Sequence, residues 1–218
     1  MMNARDAILG RIHTALSADA RRPELPPSPQ VWPATDASPD AMAERFVKEL
    51  VEVFGEAYRV PTMADARRKL AAMMAEDGWD VVGAMDRPLC RELTADLEPD
   101  IVIWSQSDWK PIDMAQLPVG LVEADVLLAD TGSAMIACYT PQDRMMCYLP
   151  PACVVIATIE RLAEHLPAAW GAIAKRVAAP ELRGEFVFVT GPSRTADIEK
   201  ILILGVHGPK RLVVLVVG

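Results

Sequence analysis

Several residue patterns that mark common functional classes are missing from this chain of 218 residues. Its four cysteines show no C-x-x-C spacing and its three histidines are scattered, which argues against a dedicated zinc or iron–sulfur site. No G-x-G-x-x-G, G-x-x-x-x-G-K-[ST] or G-x-S-x-G motif occurs, so no motif indicates NAD, ATP or a serine hydrolase. The net charge is −8 and no Lys/Arg cluster exceeds three residues, so nucleic acid and anionic membranes are poor partners.

Long apolar runs are missing as well. No run approaches the ~20 apolar residues that a membrane-spanning helix needs. Arg5, Asp6 and Arg11 interrupt the first residues before an apolar signal segment forms, so we expect no signal peptide. Together with cysteines that show no pairing pattern, this predicts a cytoplasmic protein with reduced thiols.

The apolar content is sufficient for one substantial core, since 51% of the residues are hydrophobic. Residues 1–18 have the pattern of a short amphipathic helix. Residues 19–40 contain six prolines, which predicts an extended linker. We therefore expect an N-terminal helix and proline-rich linker at 1–40, followed by the main domain at 41–218.

Within the main domain, short apolar segments alternate with helical patterns, which favours an α/β layer with a largely parallel sheet. The predicted strands are 57–60, 80–83, 100–104, 125–128 and a central strand at 211–217; helical material is expected at 87–95. Met42, Phe46, Leu50 and Phe54 predict one amphipathic helix. Thr62, with Asp65 three residues later, predicts the capped start of another.

The middle of the domain breaks this alternation. We interpret 126–129, 133–139 and 152–157 as a hairpin-like insertion without an intervening helix, with Thr131-Gly132 as its first turn. Residues 159–177 predict one long helix that is kinked or split at Pro167.

Four polar features fall in turns or loops and not at periodic core positions. They are Asp130-Thr131-Gly132-Ser133, Asp143-Arg144 before Leu149-Pro150-Pro151, Gly191-Pro192-Ser193-Arg194-Thr195-Ala196-Asp197, and Gly205-Val206-His207-Gly208-Pro209. Each also has a plain structural interpretation, such as a polar turn, a solvated arginine or a helix cap. Cys147 has no adjacent base, which favours burial as a small apolar side chain over a nucleophile.

The third feature follows the apolar segment 186–189 and precedes Ile198, Ile201 and Leu202, which recur at helical spacing. This predicts a strand that leads into a helix, with Ser193 or Thr195 as the cap. A helix start beside Arg194 would favour a carboxylate or phosphate.

Taken together, the four features resemble the LUD domain family. The resemblance is carried by the ordered set A-D-T-G-S (129–133), R-x-x-x-x-L-P-P (144–151), G-P-S-R-T-A-D-I-E (191–199) and G-V-H-G-P (205–209). It is strongest to the small lactate-utilisation protein C type, the LutC/YkgG group, and covers about residues 41–218. It implies an α/β fold of the NagB/RpiA/CoA-transferase type, an open sheet covered by helices, with an N-terminal helical extension.

The resemblance also implies a part in the oxidation of L-lactate to pyruvate, within a three-protein cytoplasmic system. The partner subunits of that system carry iron–sulfur clusters. The larger LUD-containing partner has ferredoxin-like cysteine runs and this chain has none, so this chain would not carry electron transfer alone. We expect no cofactor and no metal in this chain, and iron–sulfur clusters on its partners.

The motif match assigns candidate catalytic roles to His207 and Asp130; many family members have Glu where Asp130 stands. Candidate substrate-binding residues are Thr131, Gly132, Ser133, Arg144, Gly191, Ser193, Arg194, Thr195, Asp197 and Gly208. A small carboxylate such as lactate or pyruvate would bind at the helix start. His207 would accept its hydroxyl proton, because histidine ordinarily titrates near neutral pH. We expect Asp130, Arg144, Ser193, Arg194 and His207 to line one pocket.

Two other interpretations stay open. One is a stand-alone enzyme acting on phosphorylated or CoA-linked substrates, by analogy with the wider fold. The other is a non-catalytic interaction subunit that organises the iron–sulfur partners.

Overall fold

The computed structural model describes residues 4–18, 31–32, 36–178, 185–196 and 202–218. The chain divides into two units, Met1–Ala34 and Thr35–Gly218. In the first, helix α1 (Ala4–Ala18) corresponds to the helix predicted for 1–18. Most of the predicted linker lies outside the described residues. Its last two residues, Pro39 and Asp40, belong instead to the next helix, because proline is tolerated in a first helical turn.

The second unit contains all remaining elements. Its helices are α2 (Pro39–Glu52), α3 (Met63–Asp77), α4 (Pro88–Leu93), α5 (Pro111–Ala115), α6 (Pro141–Met146) and α7 (Leu166–Val177). Its strands are β1 (Glu56–Val60), β2 (Val82–Ala84), β3 (Val102–Trp104), β4 (Val119–Glu123), β5 (Val126–Leu128), β6 (Ser133–Cys138), β7 (Ala152–Thr158), β8 (Leu162–Ala163), β9 (Glu185–Val189), β10 (Arg194–Ala196), β11 (Leu202–Leu204) and β12 (Arg211–Val217).

A six-stranded parallel sheet forms the centre of this unit, in the order β1-β12-β7-β4-β2-β3. The prediction of a central strand at 211–217 is confirmed, since β12 lies between β1 and β7 and Val213, Val214 and Leu215 are fully buried. Strand β4 was not predicted, although its residues are all buried. With the flanking helices, the sheet forms the mixed α/β fold expected from the motifs.

Strands β5 and β6 form the predicted hairpin, within a second sheet of order β8-β5-β6-β9. The third apolar segment of the supposed insertion, however, is β7 of the main sheet, and helix α6 separates it from β6. The prediction of no intervening helix was therefore wrong. The missed signal is local: Thr140 and Asp143 form a capping box, and Pro141 starts the helix.

The long helix predicted for 159–177 is also wrong. The segment contains a short 3-10 turn (Ile159–Arg161), strand β8 and then α7. Pro167 lies in the first turn of α7, where its missing N–H leaves no hydrogen bond unmade, so it begins a helix and does not kink one. Ala169 and Ile173 of α7 pack on the second sheet.

Two helix predictions hold in detail, with one correction. Phe46 and Leu50 of α2 are fully buried, and the Thr62 hydroxyl accepts a hydrogen bond from the Asp65 N–H at 3.2 Å at the start of α3. Phe54, expected on the α2 face, lies beyond the end of the helix with φ 68° and is 57% exposed. The helix terminates before it because this backbone conformation is left-handed.

Arg211 of β12 forms an ion pair with Glu56 of β1, and its contribution to stability depends on pH. Its guanidinium donates to both Glu56 carboxylate oxygens at 2.6 and 2.8 Å and also contacts Asp77. The Arg211 hydrogen bond lowers the pKa of Glu56 from its usual 4.5. A depressed folded pKa means that this stabilisation is complete above the unfolded pKa and is lost as the pH falls through the folded one.

Glu56→Gln is therefore expected to be less stable than the wild type at about pH 7, with a difference that shrinks towards about pH 3. Urea unfolding of both proteins across this range measures it. A difference that stays constant with pH would show that the Glu56 charge contributes nothing.

Candidate functional site

The segment after β9 forms a hairpin where the sequence suggested the start of a helix. Strand β10 pairs antiparallel with β11, and Thr195 lies opposite Ile203. The predicted helix cap at Ser193 or Thr195 is therefore wrong, because the described residues that follow, Arg194–Ala196, form a strand and not a first helical turn. Asp197 lies outside the described residues. A short apolar run such as 202–204 fits a strand and a helix equally well, which explains the error.

His207 and Ser193 nevertheless line one cleft of about 260 Å³. Its walls come from three separate segments: Cys147 and Tyr148, the 187–193 region, and 207–209. The Ser193 N–H donates to the Pro209 carbonyl at 2.8 Å, and the Gly205 N–H donates to the Ser193 carbonyl at 2.8 Å. These two bonds hold the third and fourth motifs together.

The glycines of these two motifs have packing roles. Gly191 has φ 77°, and a Cβ atom on it would lie 2.5 Å from the Val53 carbonyl oxygen. A Cβ atom on Gly208 would lie 3.1 Å from the Ser193 Cβ atom. Glycine therefore lets the backbone of each motif approach its neighbour closely, and both residues line the cleft.

The turn between β5 and β6 reaches this cleft indirectly. The Ser133 hydroxyl is hydrogen bonded to the Thr131 hydroxyl at 2.8 Å and to the Thr190 hydroxyl at 2.6 Å. Thr190 lines the cleft. Asp130 does not; its N–H donates to the Glu164 carbonyl, and its buried Oδ1 has no hydrogen-bond partner among the described residues. One hydroxyl pair thus connects the turn to the cleft.

The two candidate arginines lie elsewhere. Arg144, on α6, is 44% exposed and pairs with Glu185 at 3.2 Å. Arg194 is exposed on β10, and neither arginine is among the residues that line the cleft. Of the five residues expected to line one pocket, only Ser193 and His207 line this cleft. Ser133 is connected to it by the hydrogen bond with Thr190. The catalytic and binding roles assigned by the motif match stay predictions.

A second cleft, of about 390 Å³, adjoins the first and shares Tyr148, His207 and Gly208 with it. Its remaining lining residues are Ala115, Leu149, Pro151, Gly205, Val206 and Lys210. The sequence analysis did not select Tyr148 or Lys210. The available signal for Lys210 was its position directly after the Gly205–Pro209 motif.

Cys147 borders the smaller cleft, but its environment disfavours a thiolate. A hydrogen bond with Cys138, together with burial, raises the pKa of the Cys147 thiol well above its usual value. Burial likewise raises the pKa of Cys153 to about 12. All four cysteines are free and buried, as expected for structural side chains and not for a nucleophile.

A buried ionic network joins the two sheets, and sequence reasoning missed it. Asp125 is within 2.9 Å of Arg87 and 2.8 Å of Arg176, while Glu123 is 2.9 Å from Arg161. Glu123 and Asp125 are 1% and 8% exposed. Their remaining oxygens accept backbone N–H bonds, from Leu89 and Ala137, both at 2.7 Å. All four carboxylate oxygens of Glu123 and Asp125 thus have a partner, which indicates that this network has a structural role.

Neither a metal-binding cluster nor a membrane-spanning helix occurs among the described residues. In these parts of the chain, no group of three or more His, Cys, Asp and Glu side chains is arranged to hold a metal ion. In the same ranges, no helix has the length and apolar character to cross a membrane.

A family model described as the LUD domain matches residues 43–217. Lactate utilization protein C of Shouchella clausii (strain KSM-K16) is 26% identical over 229 residues, covering 100% of this chain and 99% of the relative. The protein of the same name from Geobacillus kaustophilus (strain HTA426) is 28% identical over 230 residues, covering 98% and 95%.

A solved structure supports the fold. The crystal structure of a DUF162 family protein from Deinococcus radiodurans is similar with a TM-score of 0.64 and 17% identity. The match covers 83% of this chain and 99% of that chain. The structural match supports the fold of the second unit, and the family model lies within that unit.

Proposed function

This chain belongs to the LUD domain family, and on that premise we propose that it is a component of a cytoplasmic lactate utilisation system. Two relatives named lactate utilization protein C align over 99% and 95% of their own length, which supports this role. In the proposed system, L-lactate is oxidised to pyruvate together with partner subunits that carry iron–sulfur clusters. This chain binds the small carboxylate substrate.

The observation that carries the substrate-binding part is the cleft shared by Ser193 and His207. Two motifs that are separated in sequence contribute to it, and direct backbone hydrogen bonds hold them together. A concave site with a few convergent polar groups is the usual form of a small-molecule site. An imidazole and a hydroxyl at its walls suit a hydroxy acid.

The proposed chemistry divides between this chain and its partners. Oxidation of lactate to pyruvate removes two electrons and two protons from the alcohol carbon and its hydroxyl group. His207 accepts the hydroxyl proton as general base. A cofactor on a partner subunit would supply the oxidant for the two electrons and the proton from carbon, since this sequence has no ferredoxin-like cysteine run. Asp130 is supported only by the motif match.

His207→Ala is expected to weaken L-lactate and pyruvate binding to the isolated chain by about tenfold, since it removes one hydrogen-bonding group from the cleft. Isothermal titration calorimetry measures this change. His13→Ala, on helix α1, is the matched control and should bind as the wild type does. Equal affinity of the His207→Ala protein and the wild type would remove His207 from the site.

Reconstitution with the iron–sulfur subunits separates the remaining interpretations. The readout is lactate-dependent reduction of the iron–sulfur clusters. If His207→Ala abolishes this reduction while the complex still assembles, the result supports a substrate-binding subunit. Assembly without carboxylate binding by this chain would instead favour a non-catalytic interaction subunit. Turnover of a phosphorylated or CoA-linked compound by the chain alone would favour a stand-alone enzyme.

A further inference from the structure

The larger cleft beside His207 contains a lysine side chain. Lys210 lines it together with Tyr148 and His207, and no Asp or Glu of the described residues is among its lining. Within the described ranges, the Lys210 ammonium group makes no ion pair. The next residue differs, because Arg211 is bound by Glu56 and Asp77.

Lys210 is positioned by the turn that precedes it. Gly205 has φ 74°, and a Cβ atom on this residue would overlap the Lys210 Cγ atom. The Lys210 N–H donates to the Pro151 carbonyl at 2.7 Å. The lysine stem therefore lies across the glycine turn, in the same loop as His207.

The electrostatics of this cleft favour an anion. The protein as a whole has a net charge of −8. In the part of the chain that the structure describes, this concavity has a lysine ammonium group and no carboxylate, which is a local exception to that charge. Coulomb attraction is stronger in a cleft than in open water, because the effective dielectric constant is lower. Tyr148 and His207 add side chains that are able to donate or accept a hydrogen bond.

We propose that Lys210 binds the carboxylate of a 2-hydroxy or 2-oxo acid whose second oxygen contacts His207. The substrate class rests on the proposed function; the role of Lys210 rests on the cleft. A cleft of about 390 Å³ is in the range of sites for ligands larger than a three-carbon acid. The site therefore accepts 2-hydroxy acids with longer apolar side chains, which would lie along Ala115 and Leu149.

The test uses calorimetry on the full chain with L-lactate, pyruvate, 2-hydroxyhexanoate and the neutral analogue lactamide. Lys210→Met should weaken binding of each acid by about tenfold or more, and Lys210→Arg should retain most of the affinity. Lactamide has no charge for Lys210 to bind. Its affinities for the wild type and for Lys210→Met should therefore differ by less than about twofold. Lys48→Met, on an exposed position of α2, is the control for a lost surface charge.

The outcomes separate this inference from the proposed function. Unchanged acid binding by Lys210→Met, with binding lost in His207→Ala, overturns the role of Lys210 and leaves the function standing. Binding of 2-hydroxyhexanoate that depends on Lys210, without binding of lactate or pyruvate, supports Lys210 and overturns the lactate assignment. If no acid binds the wild type, both the role of Lys210 and the proposed substrate-binding function are contradicted.

Discussion

Replacement of Asp125 by Ala is expected to lower the free energy of unfolding by about 3 kcal/mol. The substitution leaves the Arg87 guanidinium, only 8% exposed, without its partner at 2.9 Å. It also leaves the buried Ala137 N–H without an acceptor. Glu123, 3.6 Å from Arg87, remains as a second carboxylate, which places the effect at the lower end for a broken buried pair.

Urea unfolding measures this effect, and the chain offers a matched control. Asp86→Ala removes a two-bond pair with Arg91 at 2.5 and 2.7 Å, but on the surface, where ion pairs contribute little. The double variant Asp125→Ala/Arg87→Met should recover part of the loss, because no buried charge is then left unpaired at Arg87. An Asp125→Ala protein as stable as Asp86→Ala would contradict the structural role of the network.

Gly132→Ala is expected to destabilise the protein by about 3 kcal/mol or more. Gly132 has φ 61°, a left-handed conformation that costs a residue with a Cβ atom about 1–2 kcal/mol. In addition, the new Cβ atom would overlap the Leu50 backbone nitrogen and lie 2.7 Å from the Leu50 Cα atom. The helix backbone at Leu50, whose side chain is fully buried, cannot move aside as a flexible side chain can, so the two costs add.

Gly78→Ala separates these two costs. Gly78 ends α3 with φ 67°, and nothing lies within 4 Å of where its Cβ atom would be. This variant should lose only the cost of the backbone conformation, about 1–2 kcal/mol. Thermal or urea unfolding of both variants measures the difference. Losses of equal size would show that Gly132 is not packed against α2, and would return it to the candidate binding residues.

Gly132 illustrates how a motif mixes structural and functional residues. Motif resemblance selects Gly132, Gly191 and Gly208 as binding residues, but each has a neighbour in the fold that requires glycine or a close approach. Gly191 and Gly208 line the cleft together with Ser193 and His207, and the latter two contribute polar side chains to its lining. The structure therefore separates candidate residues that have packing roles from those that contribute polar side chains to the cleft.

Sequence by itself determined the features that have local causes. The buried strand β12 follows from an almost continuous Val and Leu run, the turn before β6 from Thr-Gly, and the start of α3 from the Thr62 cap. The ordered motifs identified the family and, through it, the fold. These signals need no knowledge of which distant segments meet.

Only the tertiary structure decided the rest, because the deciding contacts join residues far apart in sequence. Leu202–Leu204 is a strand because β10 pairs with it. Leu162 fits a helical pattern in the sequence but lies in strand β8, because β8 pairs with β5. The Arg87–Asp125 pair spans 38 residues, and Lys210 faces the cleft because of the turn at Gly205 and the bond to Pro151. The hydrophobic periodicity of a segment indicates that the segment is buried, but it does not indicate which other segment packs against it. Ion pairs and clefts between distant segments can therefore be identified only from the folded structure.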